Sequence, residues 1–281
     1  MRIDLLMTTR NRHACVERLL NSLEKQTRRN FRLVAGLQCP DATMLALVRR
    51  YAAKFPVQSV PLPECGLSAA RNRLFPAVSG QIVALTDDDC HYPPPTMAAL
   101  EDFFRAHPES DACVGVPCLE DAAAPTGTGK IAAVGRFGMF WQAPSWLLFF
   151  RHAAMRRVGA FDERLGVGAA SPWQSGEETD YALRLLSQGG KIMRVGSVGV
   201  AHPCPDFSCA NTAKWYAYGM GRMELLRNHQ FPRWFCLLNI VHPLARMLRE
   251  PASHWKCLWA MFAGRFTGAW QGNEGSGART F

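Results

Sequence analysis

The sequence predicts an α/β protein built on a mainly parallel sheet. Short apolar runs alternate with stretches of helical periodicity from the first residues onward. Polar, charge-rich loops close several of those runs at their carboxyl ends, where α/β sheets hold ligands. The composition agrees: 281 residues, 48% hydrophobic and 20% charged, describe a folded chain that can bury a large core without disulfides.

Taken in order, residues 3–7 are apolar and read as the first strand, with the polar segment TTRNR after it. Over 14–23, Val16, Leu19, Leu20 and Leu23 recur at helical spacing. Residues 31–37 form the second expected strand, followed by a helix over 42–55 that Pro56 closes. A third strand is expected at 57–62, a helix at 67–75, and a strongly apolar fourth strand at 81–85. The segment TDDDCHYPPP then interrupts regular structure, and a helix follows over 97–105. Residues 119–130, rich in Ala, Pro, Gly and Thr, predict a loop, as do residues 166–176. Between them, 137–150 is dense in aromatic residues. A helix over 177–188 ends at Gly189-Gly190, and 192–201 is the last strand. These elements predict one α/β domain over 1–205. Residues 206–281 read as a C-terminal helical extension whose aromatic faces carry Arg233, Arg246, Arg249, Lys256 and Arg265 on their flanks. Helices of that kind can lie in a membrane interface.

The net charge is +9, which favours an acidic partner. The basic residues are scattered and show no RNA-binding signature, so nucleic acid is not expected. None of the ten cysteines sits in a CxxC pair, which argues for reduced thiols and against a zinc knuckle. No apolar run reaches the ~18–20 residues of a membrane span, and MRIDLLMTTRNR lacks the form of a signal peptide. The expected location is the cytoplasm, with peripheral contact at the inner face of the cell membrane.

Two acidic clusters carry chemistry. Asp87, Asp88 and Asp89 end the fourth strand, where three adjacent carboxylates repel unless a cation joins them. Asp87 and Asp89 point to one side of an extended chain, a pattern suited to Mg²⁺ or Mn²⁺ and phosphate oxygens. The second cluster, Ser175-Gly176-Glu177-Glu178-Thr179-Asp180, opens a helix. Ser175 and Glu178 fit a capping box. Glu178 also shares a helix face with Ala182 and Leu185, so it looks inward, where a carboxylate can accept a proton. Asp180 is spaced to pair with Arg184. Arg71, in GLSAARNR, is suited to a diphosphate. His202, after the last strand, is suited to a metal or a phosphate.

The order of these motifs resembles that of the inverting family 2 glycosyltransferases with the GT-A fold, over roughly residues 1–205 and more weakly through YGMGRMELL. The resemblance implies a Rossmann-like sheet flanked by helices, a nucleotide-sugar donor and a divalent Mg²⁺ or Mn²⁺ ion. TDDD looks like the family's DxD motif, which gives Asp89 to the metal, Asp87 to the donor ribose or the metal shell, and Asp88 to the variable position. GEETD looks like the family's ED-x-D motif, which makes Glu178 the general base, with Glu177 the neighbouring candidate and Asp180 in support. Thr9, Arg10 and Arg12 fall in the loop near the base and ribose, Arg71 faces the donor, and His202 stands where some members contact metal or diphosphate. Gln38 and Asp41 are what this chain offers to the nucleobase. The paired acids usual on that strand, one of which contacts uracil, are missing; UDP is still expected first, with dTDP and GDP open. The acceptor implied is a saccharide or lipid-linked saccharide, in bacterial envelope or exopolysaccharide synthesis, against an anionic membrane surface. The competing classes are a sugar-nucleotide nucleotidyltransferase and a non-catalytic subunit of a polysaccharide assembly complex. The first would need a glycine-rich, lysine-bearing loop that TTRNR does not supply.

Overall fold

The computed structural model describes residues 1–120, 129–203, 207 and 212–271. The chain forms two compact units. One takes residues 1–65, 69–161 and 181–203; the other takes 66–68, 162–180 and the described part of 204–281. Most of the loop expected at 119–130 lies outside the described residues.

The first unit is built on an eight-stranded sheet. Its strands are β1 (Ile3–Thr9), β2 (Phe31–Gln38), β3 (Val57–Leu62), β4 (Ile82–Thr86), β5 (Ala112–Pro117), β6 (Ile131–Ala133), β7 (Leu148–Arg151) and β8 (Ile192–Val200). They run in the order β3-β2-β1-β4-β7-β5-β8-β6. The β3-β2-β1-β4 block is parallel, as is the β5–β8 pair. β7 runs antiparallel between β4 and β5, and β6 antiparallel on β8. The helices in chain order are α1 (His13–Glu24), α2 (Ala42–Ala52), α3 (Leu67–Leu74), α4 (Thr96–Ala106), α5 (Met139–Gln142), α6 (His152–Val158) and α7 (Glu177–Ser187). The three strands absent from the sequence reading are β5, β6 and β7. β7 comes from the aromatic run, where Leu148, Phe149 and Phe150 are all buried.

The central strands are apolar on both faces. Leu5, Leu6 and Met7 of β1 and Ile82 to Leu85 of β4 are wholly buried, as a sheet covered on both sides requires. Asp4 interrupts that run, and it too is wholly buried. Arg32, its register partner on β2, donates to it at 2.6 Å, and the Ser79 and Gly80 N–H groups donate at 2.8 and 2.9 Å. Gly80 is required there, because a Cβ would stand 2.9 Å from the Asp4 carboxylate.

Two devices fix the segment after β4. The buried Gln26 amide donates to the Tyr92 and Pro93 carbonyls at 2.9 Å each, and its oxygen accepts from Met97 N–H. His91 and Ala201 exchange backbone hydrogen bonds at 2.8 Å, which ties the end of β8 to the acid triplet.

The second unit contains α8 (Thr212–Asn228), α9 (Arg233–Met247) and α10 (Trp255–Gln271). α8 and α10 touch backbone to backbone because both are notched by glycine. A Cβ on Gly219 would stand 2.5 Å from the Met261 carbonyl oxygen, and one on Gly264 would stand 2.0 Å from that of Tyr216. Pro243 lies inside α9 and has no N–H, so the Asn239 carbonyl one turn earlier loses its helical donor. Arg265 of α10 replaces it, with Nη1 donating at 2.5 Å. Among the described residues, no helix is long and apolar enough to cross a membrane. The eight described cysteines are free thiols.

Candidate functional site

The first unit gathers the expected donor and metal residues at the carboxyl ends of β1 and β4. β1 ends in Thr9, whose hydroxyl donates to Asp88 at 2.6 Å. Arg12, at the start of α1, donates to Asp88 and, at 2.9 Å, to Asp89. Asp88 is therefore the acid most enclosed by protein groups. Burial pushes its carboxyl up to about 6, against the Thr9 hydrogen bond and the Arg12 charge. Burial would also raise Asp89, but His202 and Arg12 overcome it and hold that carboxyl well below the usual range.

His202 arrives through the His91–Ala201 bridge. Its Nε2 lies 3.0 Å from Asp89 Oδ1 and 3.8 Å from Asp87 Oδ2. Its ring stacks on Trp146 with centroids 5.1 Å apart and planes 13° from parallel. Burial opposes charge on this imidazole, yet Asp89, the Pro203 carbonyl and Asp87 raise its pKa above the ordinary value. The short turn before β7 supplies Trp146 and also Ser145, which donates to Asp87 at 3.1 Å. Sequence reasoning missed both residues. Their only signal was their place in the aromatic run, which carries no periodicity that singles them out.

Arg71 is 1% exposed, on α3, with Nη2 3.4 Å from Asp87 and its guanidinium over the Phe161 ring. Burial of this kind separates it from a surface arginine. The residues offered to the nucleobase have structural work as well. Gln38 accepts from Cys65 N–H at 3.0 Å, and Asp41 caps α2 through Met44 N–H while pairing with His13. Arg10 reaches Glu64 instead of the triplet. Asn11 and Cys39 both hold positive φ angles, and the Asn11 side chain bridges the Cys39 carbonyl and the Asp41 N–H. The loops after β1 and β2 are thus stitched together in strained conformations, a common feature of binding loops.

The donor set fits a divalent cation in kind. Asp87, Asp89 and His202 offer carboxylate oxygens and one imidazole nitrogen, which suit Mn²⁺ or Mg²⁺. Asp89 Oδ1 is buried, with His202 Nε2 3.0 Å away. The fit is not preformed. Arg12 already occupies Asp89, and among the described residues no three His, Cys, Asp or Glu side chains are spread as a metal cage.

The acids of α7 that were expected to do the proton transfer, Glu177, Glu178 and Asp180, belong to the second unit. Glu177 and Asp180 are buried and Glu178 is half-buried. Glu177 packs against Gly166, whose φ of +98° and lack of a Cβ make the space. Asp180 pairs with His229 at 2.8 Å, while Arg184, its expected i, i+4 partner, donates to the Val158 carbonyl. The Ser175 hydroxyl donates to the Tyr218 carbonyl of α8. α8 comes this close because Gly221 faces Ser175, where a Cβ would stand 2.7 Å from the Ser175 carbonyl oxygen. The next residue, Arg222, holds a favourable electrostatic interaction with Glu178. Arg222 was also missed, although YGMGRMELL carried it in plain view, because its relevance depends on the packing of α8.

The family model for glycosyl transferase family 2 matches residues 4–165, more than half of the chain, and the chain belongs to that family. Solved structures of similar fold include a mannosyltransferase from Pyrobaculum calidifontis in complex with GDP-Man and Mn²⁺. It is 16% identical with a TM-score of 0.60, and the match covers 98% of this chain and 76% of that one. TarS from S. aureus, residues 1–349 in complex with UDP-GlcNAc, is 15% identical with a TM-score of 0.62, and the match covers 97% and 92% of the two chains. Against a longer TarS chain the match covers 55% of that chain. No curated protein sequence matches. At these identities the likeness is one of fold, and the fold is GT-A. By family and fold, the chain is a glycosyltransferase.

Proposed function

We propose that the chain is an inverting, metal-dependent transferase that moves a sugar from a nucleotide diphosphate to a hydroxyl of a saccharide or lipid-linked saccharide. The observation that carries this reading is the gathering of Asp87, Asp89, His202 and Arg71 at the carboxyl ends of β1 and β4. That the mannosyltransferase holds GDP-Man and Mn²⁺, and TarS UDP-GlcNAc, supports a nucleotide-sugar donor here. Asp89, Asp87 and His202 would hold the divalent ion, which supplies positive charge to a leaving diphosphate. Arg71, buried and facing Asp87, would add charge-assisted hydrogen bonds to the same oxygens. Thr9 and Arg12 fix the triplet, and Gln38 and Asp41 flank the position of the base.

Transfer then proceeds in one displacement. The acceptor oxygen bonds to the anomeric carbon from the face opposite the diphosphate. The bond from that carbon to the diphosphate oxygen breaks, and its electron pair leaves with the diphosphate. The acceptor proton passes to the Glu178 carboxylate, with Glu177 and Asp180 in support. General-base removal of this kind is worth ~10²–10⁴-fold. Glu178→Gln should therefore lower transfer by about that factor while leaving binding of the nucleoside diphosphate with Mn²⁺ intact. A Glu178→Gln enzyme with full transfer activity would overturn the assignment of the base. The exposed aromatic side chains of α9 and α10, with Arg233, Arg249 and Lys256 beside them, support peripheral contact with an anionic membrane face.

A further inference from the structure

Three helices of the second unit bring cationic side chains together at a place that transferase chemistry at the acid triplet does not use. Arg265 of α10 is 6% exposed. Its Nη1 donates to the Asn239 carbonyl and its Nη2 to Met261 Sδ at 3.3 Å, while Nε is buried with no hydrogen-bond partner among the described residues. Both acceptors are neutral, so among the described residues this buried charge has no carboxylate in contact. Such a charge is costly, and a neutral amide could fill the carbonyl that Pro243 frees.

The neighbours follow from helix geometry. The Arg265 backbone nitrogen lies 2.8 Å from where a Cβ on Gly219 would stand. Arg222 is three residues beyond Gly219, on the same side of α8. His242 is likewise three residues beyond Asn239 on α9. The charges feel one another: burial, Arg222 and Arg246 push Arg265 down to about 9, and burial with the same cluster holds His242 down to about 4. Arg246 has its own carboxylate in Glu250, at 2.5 Å. Arg222 and Glu178 attract each other, against the burial that pushes Arg222 down.

We infer that Arg222, His242 and Arg265 form a binding site for a phosphate group carried by the acceptor substrate. A phosphate takes several N–H donors at once, and guanidinium groups supply them in a matching fork. It would also supply the negative charge that Arg265 lacks. The acceptor, rather than the donor, is assigned because Arg222 attracts Glu178 and follows Gly221, which abuts Ser175 at the head of the same acidic segment, and the proposed function gives Glu178 the acceptor proton. The inference rests on the proposed transferase reading and narrows its acceptor to a phosphate ester.

The test uses the full chain and inorganic pyrophosphate, titrated by calorimetry in EDTA so that metal-borne binding at the acid triplet is suppressed. Wild type should bind. Arg265→Gln, which keeps a donor for the Asn239 carbonyl, and Arg222→Gln should each weaken binding at least tenfold. The two variants guard against one failing to fold. Equal affinity in wild type and both variants, or no binding to wild type, overturns the site. UDP binding with Mn²⁺ is measured in parallel. If it is retained while the pyrophosphate result fails, the phosphate site is wrong and the transferase reading stands; if wild type binds no nucleotide, the acceptor assignment falls with that reading. Competition by a prenyl phosphate in phosphatidylcholine vesicles supports the acceptor as the source of the phosphate. Equal competition by phosphatidylglycerol vesicles assigns the cluster to membrane headgroups and overturns the acceptor assignment.

Discussion

Asp4 is the one charged residue of β1, and four hydrogen bonds from Arg32, Ser79 and Gly80 make its burial tolerable. Burial alone would raise its pKa, but those partners outweigh it and hold the carboxyl below the ordinary value. Its folded pKa is thus lower than its unfolded one. The stabilisation is complete above the unfolded value of about 3.9 and is lost as pH falls through the folded value. Asp4→Asn should cost about 3 kcal/mol at neutral pH, because it leaves Arg32 without its charge partner. The difference from wild type in urea unfolding should shrink below about pH 4. A difference that does not change with pH would contradict the assignment. At the same scale, the acid triplet, Glu178, Arg71 and His202 stand out as candidates in the sequence because residue type and chain order carry them. Ser145, Trp146, Arg222 and Arg265 do not, since each meets its neighbours only through tertiary packing.

At the scale of elements, legibility follows burial. β1, β2 and β4 are apolar runs covered on both faces, and the sequence marks them within a residue or two of their ends. β6 has three residues, all exposed, and β7 has four residues inside an aromatic run. Neither is long enough to show a period. Helices α8 and α10 depend on glycines that helix propensity alone would count as defects. Gly264→Leu should therefore cost at least ~1–3 kcal/mol in thermal or chemical unfolding, because its side chain has no space beside Tyr216. Gly135→Ala, where nothing lies within 4 Å, serves as the control and should be near neutral. Equal stability of the two variants would show that α8 and α10 do not meet in this way.

For the molecule as a whole, charge and exposed apolar surface point the same way. Trp234, Leu237, Leu238 and Val241 form one stripe on α9, and Trp255, Trp259, Phe266 and Trp270 one on α10, all exposed. Single exposed hydrophobics are ordinary, but two apolar stripes, the one on α10 all aromatic, on a chain of net charge +9 are a surface suited to anionic lipid. Co-sedimentation with phosphatidylglycerol vesicles should be strong at low salt and weaken as salt rises. A Trp259→Ser, Trp270→Ser double variant should bind less. No binding of wild type at low salt would remove the membrane from the account.

The central claim is that the acid triplet holds a nucleotide diphosphate through a divalent ion. The most direct measurement is the thermal unfolding of wild type and Asp89→Ala against UDP, dTDP and GDP, each with and without Mn²⁺. At ~100 times its dissociation constant, a bound nucleotide adds ~2.7 kcal/mol of stability. The account predicts that one nucleotide stabilises wild type only with Mn²⁺, and that Asp89→Ala loses the effect. No Mn²⁺-dependent stabilisation of wild type by any nucleotide, or the same stabilisation in Asp89→Ala, would contradict it.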